Sequence, residues 1–208
     1  MSKFVVFGAG GRAGRQAVAE AVRRGHQVTA VVRDPSRYTG PLDAGVQVVA
    51  GDVTDAADVA AFAAGHDAAL NAAAVVEPDT FFPAAARALN QGLRQAGVRR
   101  LVAVGLASLL PDPAGVPLMD QPGFPAQFRP FCLGHAAGLE VLRAEDNPLD
   151  WVYISPVGDF DHDGERTGRY EIGRHGDPAA RISYADFAIV LLDEAETPRH
   201  RHVHLAVS

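Results

Sequence analysis

The segment Lys3–Gly14, KFVVFGAGGRAG, constrains the fold of this chain more than any other stretch. An apolar run, Phe4–Phe7, leads straight into glycines at 8, 10, 11 and 14, and these open a helical pattern. That order predicts a buried strand, a tight turn, and a helix whose first N–H groups and positive dipole end face outward. This is how a backbone receives phosphate. Gly8, Gly11 and Gly14 form GxxGxxG, with Gly10 as an extra. The first two positions let the backbone approach a diphosphate, and Gly14 lets the helix pack against the sheet. The candidate loop is Gly8, Ala9, Gly10, Gly11, Arg12, Ala13 and Gly14.

The alternation continues along the chain. Helix is predicted at roughly Arg12–Arg24, Asp55–Ala64 and Pro78–Ala96, with strands at Val28–Val32, Val46–Ala50, Asp67–Ala73 and Arg100–Val104. Buried strands alternating with amphipathic helices imply α/β architecture: a doubly wound, Rossmann-type parallel sheet with helices on both faces. Ser108–Pro130 is proline-rich and aperiodic, and reads as a long loop at the functional edge. Helix returns near Pro130–Ala144 and strand at Trp151–Ser155. Asp159–Gly168 reads as a flap, Ser183–Glu194 as helix and Val203–Val207 as a last strand. The 208 residues fit one domain, 1–208, with substrate-side loops at about 106–130 and 156–182 and a small C-terminal substrate lobe.

Composition narrows the class. A net charge of -6 and the lack of a basic run oppose nucleic-acid binding. A single cysteine, Cys132, rules out an internal disulfide. A core strand begins within three residues and no apolar run approaches a membrane span, so a cytoplasmic chain without signal peptide or membrane contact is expected. Oligomeric state is not legible.

Arg33 closes the second strand, in VVRDPSR. An acid at this place would hold an unmodified ribose, whereas a cation favours the 2′-phosphate of NADP. Arg37 and Arg12 can join the same pocket, because guanidinium groups bind phosphate bidentately. NADP is therefore favoured; Asp34, one residue on, keeps NAD open. The same Arg33 argues against S-adenosylmethionine. Asp52 and Val53, after the third strand, suit an adenine edge through carboxylate and backbone N–H, or equally a plain helix cap or turn. Asn71, Ala72 and Ala73, after the fourth, are small enough to line the cofactor's path. His200, His202 and His204 alternate, but interleaved arginines make a polar edge strand the better reading than a metal site. Asp159, Asp161 and Asp163 read as a solvated flap, and no metal site is expected.

These stretches, with GDVTD (51–55), VGLASL (104–109), GLEVLRAEDNPLDWVYISP (138–156), GERTGRY (164–170) and RISYADFAIVLLDE (181–194), carry a resemblance. The chain resembles the atypical, extended-type short-chain dehydrogenases/reductases. More narrowly it is similar to the small NAD(P)H-binding oxidoreductases called NADH-flavin reductases, with biliverdin-IXβ reductases and NmrA-like proteins as relatives. The resemblance implies a substrate-orienting Ser at Ser108 and backbone contact with the nicotinamide carboxamide at Pro156. It also marks a departure. Typical members use Tyr-x-x-x-Lys, and the only lysine here is Lys3, on the first strand. At the matching helix the chain reads Phe131-Cys-Leu-Gly-His135, so His135 is the candidate for the lysine's ribose contact or for a proton donor; a core or surface histidine is the plainer alternative. Hydride transfer to a flavin (FMN or FAD) or quinone needs no such acid, since a stacked planar acceptor takes its proton from solvent. Phe124, Phe128 and Phe131 can floor such an acceptor, or simply pack within the loop. The implied function is an NADPH-dependent reductase of a planar acceptor, with Ser108 and His135 nearest the reacting ring. The alternatives are an NADP(H)-binding redox sensor, or an epimerase that retains its cofactor.

Overall fold

The computed structural model describes residues 1–75 and 80–208. In chain order its elements are β1 (Lys3–Phe7), α1 (Arg12–Arg23), β2 (Gln27–Val32), β3 (Val46–Ala50), α2 (Ala56–Ala63), β4 (Ala68–Asn71), α3 (Phe81–Ala96) and β5 (Arg100–Val104). There follow α4 (Arg129–Arg143), β6 (Asp150–Pro156), β7 (Asp159–Asp161), β8 (Ile172–Gly173), β9 (Arg181–Ser183), α5 (Tyr184–Glu196) and β10 (Val203–Val207). Pro78, where the sequence starts α3, lies outside the described residues.

The main sheet has eight strands in the order β3-β2-β1-β4-β5-β6-β10-β8, parallel except for β8 against β10. Strand β1 pairs with β2 on one side and β4 on the other. The strand order reverses there, and a crevice opens at the carboxyl ends. Side chains alternate across the sheet, so β1 feeds two cores. Phe4 and Val6 pack under α1 and α5 with Val18, Ala21, Phe187 and Leu191, whereas Val5 and Phe7 pack under α2, α3 and α4 with Val59, Leu89 and Leu139. These β1 side chains are fully buried. Doubly wound architecture and a Rossmann-type sheet are what the alternating runs require.

Helix ends follow the expected chemistry. Asp55 caps α2 by accepting from the Ala57 N–H at 2.7 Å, and Gly97 ends α3 at a positive φ of 75°.

The loop after β5 contains three short 3₁₀ turns, Ala107–Leu109, Leu118–Asp120 and Ala126–Phe128. It packs on the segment after β6: the Gly176 N–H donates to the Pro111 carbonyl at 2.9 Å, and a Cβ at Gly176 would lie 2.5 Å from Leu118. Strands β7 and β9 form a separate parallel pair that carries the flap.

One expectation is corrected. The last strand, β10, is not an edge, because it lies between β6 and the two-residue β8. Only His204 of the three alternating histidines falls in it. Each has its own partner: His200 Nδ1 with Glu194 at 2.6 Å, His202 Nε2 with the Leu149 carbonyl at 2.9 Å and His204 Nε2 with Ser155 Oγ at 2.7 Å. No helix among the described residues is long and apolar enough to cross a membrane.

Candidate functional site: a dinucleotide cradle at the switch point

Gly8 turns the chain out of β1 with φ 74°, and a Cβ there would lie 2.4 Å from the Ala73 amide nitrogen. Only glycine fits. A Cβ at Gly14 would lie 2.2 Å from the Gly8 carbonyl oxygen, so the start of α1 rests on the loop itself. Gly10 and Gly11 differ. Both are exposed, and a Cβ would meet nothing nearer than 3.5 and 3.4 Å respectively. Two glycines are thus demanded by packing, and two leave room above the loop.

The loop's hydrogen bonds show what remains unfilled. Gly8 and Ala9 donate to the Val31 carbonyl, and Gly11 donates to that of Gly8. Among the described residues, the amides of Gly10, Arg12, Ala13 and Gly14 donate to no backbone carbonyl or side chain. Gly11 caps α1 without a side chain to offer. Several unpaired donors around an open backbone surface at a helix start fit a diphosphate. A nucleotide's phosphates would be held by residues 10–14.

At the end of β2, Arg33 and Arg37 are exposed, and neither makes an ion pair or side-chain hydrogen bond among the described residues. Asp34 is committed locally: its carboxylate accepts from the Ser36 amide at 3.0 Å and hydroxyl at 2.6 Å, which hold it below the usual carboxylate range. Cations are free where a 2′-phosphate would sit, and the neighbouring acid is occupied. Arg12 does not join them. Its Nη1 lies 2.8 Å from His162 Nδ1, in the flap.

Asp52 accepts from the Thr54 amide and hydroxyl through one oxygen, as in a turn, while the buried Val53 keeps an N–H with no acceptor among the described residues. Asn71 ends β4 and accepts from the Ala73 amide at 3.2 Å, and the Ala72 amide donates to Phe7. Pro156 ends β6 beside Val207 and is buried.

Ser108 and the first turn of α4 meet at the other side of the crevice. Burial pushes the Cys132 thiol up, against a hydrogen bond from the Ser108 side chain, so Cys132 is a neutral, buried thiol. His135 goes elsewhere. It is 7% exposed, shares a 2.7 Å hydrogen bond with Tyr153 and lies on Phe82, the ring centroids 3.7 Å apart. Burial depresses its pKa to about 3 and pushes the Tyr153 phenol well up. Both are neutral at ordinary pH, and a small cavity they share with Asn71 and Gly138 is enclosed by Phe82, Leu89 and Leu142. Of the aromatic floor, Phe128 is 56% exposed, whereas Phe131 packs edge-on against Phe82 and His135. A separate crevice of about 350 Å³, lined by Lys3, Gln27, Thr29, Gln47 and His66, lies at the opposite end of the strands and includes no cradle residue.

The sequence motif of the family described as NAD(P)H-binding matches residues 8–198. The chain belongs to this family. A protein of Bacillus subtilis, YwnB, is 37% identical over 217 residues, covering 99% of this chain and 97% of that one. A solved structure from Burkholderia pseudomallei, named as a candidate exported protein, has a TM-score of 0.87 and 37% identity, with both chains covered in full (100% each). One from Streptococcus pneumoniae, named as a candidate NADH-flavin reductase, has a TM-score of 0.81 and 34% identity over 100% of this chain and 99% of that one. One from Bacteroides thetaiotaomicron, named as a candidate epimerase, reaches 0.89 at 30% identity over 100% and 96%.

The GERTGRY and RISYADF stretches of this NAD(P)H-binding chain dock on each other. Asp186, 4% exposed, accepts from the Thr167 amide and hydroxyl and the Gly168 amide. Arg166 reaches Glu20 of α1 at 3.2 Å, and Tyr170 donates to Asp193 at 2.6 Å. Glu20 is 4% exposed and also takes Arg23 and Arg24. Burial pushes its carboxyl up, but hydrogen bonds from Arg23, Arg166 and Arg24 outweigh this and lower it to about 2. These residues fix the base of the flap on α5 and on the last turns of α1. Sequence reading missed them, because an isolated Glu on a helix carries no local signal of its partners.

Proposed function

We propose that this chain is an NADPH-dependent reductase whose acceptor is a flavin, quinone or other flat electron sink. The observation that carries the reading is the state of the position where a short-chain dehydrogenase keeps its acid: Phe131 and a buried, neutral His135 stand there. The dinucleotide, when bound, supplies hydride. The unpaired amides of Gly10, Arg12, Ala13 and Gly14 would hold its diphosphate, and Arg33 with Arg37 its 2′-phosphate. Val53 would take the adenine edge, with Asn71–Ala73 and Pro156 lining the path to the nicotinamide. Ser108 is the polar side chain best placed to orient an acceptor, and Phe128 and Phe131 offer it apolar surface. His135 acts from below, by packing under this surface. An acceptor reduced without a protein acid suits such a site. The name of the streptococcal relative points the same way. We place the chain in the cytoplasm, where reduced dinucleotide is maintained.

An epimerase reading needs a base near the transferred hydrogen. Tyr153 cannot serve: it is buried, with a raised pKa. A redox sensor is favoured by the same missing acid, and turnover separates it from a reductase. Anaerobic oxidation of NADPH with FMN as acceptor, with NADH in parallel, is the test. Turnover well above the buffer rate that favours NADPH supports the reductase. Binding of both NADPH and NADP without turnover on FMN or a quinone would overturn it in favour of the sensor.

A further inference from the structure

Arg12, the first residue of α1, is drawn away from the 2′-phosphate side by a group 150 residues along the chain. Arginine can only donate, so His162 must accept through Nδ1 and carry its proton on Nε2. The contact is exposed, yet what bears His162 is held firmly. Pairing of β7 with β9 sets one end of the segment, Asp161 opposite Ser183. The Asp186 clamp on Thr167 and Gly168, with Arg166 on Glu20, sets the other. Phe160 stacks on Tyr184 at 4.0 Å and 13°, and the His162 ring lies 5.6 Å from Tyr184. Only Nη1 of Arg12 is engaged, so Nε and Nη2 have no partner among the described residues.

We propose that His162 is a positioning residue for the cofactor: it holds the Arg12 guanidinium beside the glycine loop so that the free edge of the fork meets the diphosphate. The proposal rests on the dinucleotide reading above. The diphosphate is the group meant, because Arg15, one turn on, reaches Thr39 in the loop that follows β2 at 2.8 Å, whereas Arg12 turns to the flap. Holding a long side chain in place before binding removes part of the ordering cost that an untethered arginine would meet.

The test is a double-mutant cycle on dinucleotide affinity, measured by titration calorimetry with NADPH and NADH. Replacing His162→Ala is expected to weaken both by about fivefold, the scale of one ordered long side chain. His162→Asn, whose Oδ1 sits where Nδ1 does and can accept from Nη1, should restore affinity to within about twofold. In an Arg12→Ala background, His162→Ala should change nothing further. Undiminished affinity in His162→Ala, no rescue by Asn, or an equal loss with and without Arg12 would each overturn the proposal. Loss for NADPH alone would overturn the assignment to the diphosphate. A wild-type protein that bound neither dinucleotide would overturn the cofactor reading itself, a failure distinct from the others because it appears before any substitution.

Discussion

Replacing Gly14 and Gly11 separately by alanine should split folding from binding. At Gly14 the new methyl would lie 2.2 Å from the Gly8 carbonyl oxygen and 2.9 Å from Ala9 Cα, both backbone atoms that no side-chain rotation can clear. The start of α1 must move away by about 1 Å, an overpacking that costs roughly 1–3 kcal/mol. The same movement draws the unpaired amides away from the diphosphate. At Gly11 the nearest atoms are the Gly8 oxygen at 3.4 Å and the Ala72 oxygen at 3.9 Å, ordinary contact distances. Its φ of -75° suits alanine, so the cost to folding is the lesser N-cap quality of alanine, about 1 kcal/mol or less. On the proposed placement the methyl stands where the diphosphate would approach, and affinity should fall by about tenfold or more. Urea unfolding followed through the single tryptophan, the buried Trp151, reads the first quantity, and titration calorimetry with NADPH reads the second. Gly11→Ala that binds NADPH like the wild type would refute the placement of the diphosphate. Gly14→Ala as stable as the wild type would refute the packing argument.

Three further outcomes are expected. Arg33→Ala should lower NADPH affinity by about one to two orders of magnitude, as for loss of a charge-assisted contact, and leave NADH nearly unchanged; equal losses would count against the 2′-phosphate site. Glu20, whose carboxyl is lowered from 4.5 to about 2, contributes stability that is present above pH 4.5 and lost as pH falls through 2. Because Arg23 and Arg166 are 53% and 38% exposed, the contribution is discounted to about 2 kcal/mol, and Glu20→Gln should flatten the acid limb of a urea-midpoint profile below pH 4.5. His135 and His204 are depressed by burial to about 3 and about 4, so the unfolded chain takes up protons first as pH drops below 6.5. Stability should therefore begin to decline there. His135→Gln should weaken that early slope without altering the pH dependence of NADPH binding between pH 6 and 8; a binding profile that did shift would put an ionising His135 at the cofactor.

The cradle was legible because its signals are local. A strand, a turn that only glycine makes and a helix start lie within twelve consecutive residues, Lys3 to Gly14, and backbone sterics act over that range. Alternation of apolar runs with amphipathic helices likewise determined the parallel sheet, and the end of β2 with its arginines follows from strand length. What the tertiary structure decided concerns partners. His135 became a neutral core residue through Tyr153, 18 positions away, and Phe82. Arg12 was taken by His162, 150 positions away, and Glu20 by Arg166, 146 away. The last strand read as an edge because arginines interleave the histidines there, a local signal that does not depend on whether a neighbour pairs, and β8, just after the flap, supplies that neighbour. Burial and hydrogen-bond pairing between distant segments arise only when the sheet is assembled, and they set which polar groups are charged, which are neutral and which remain free to meet a ligand.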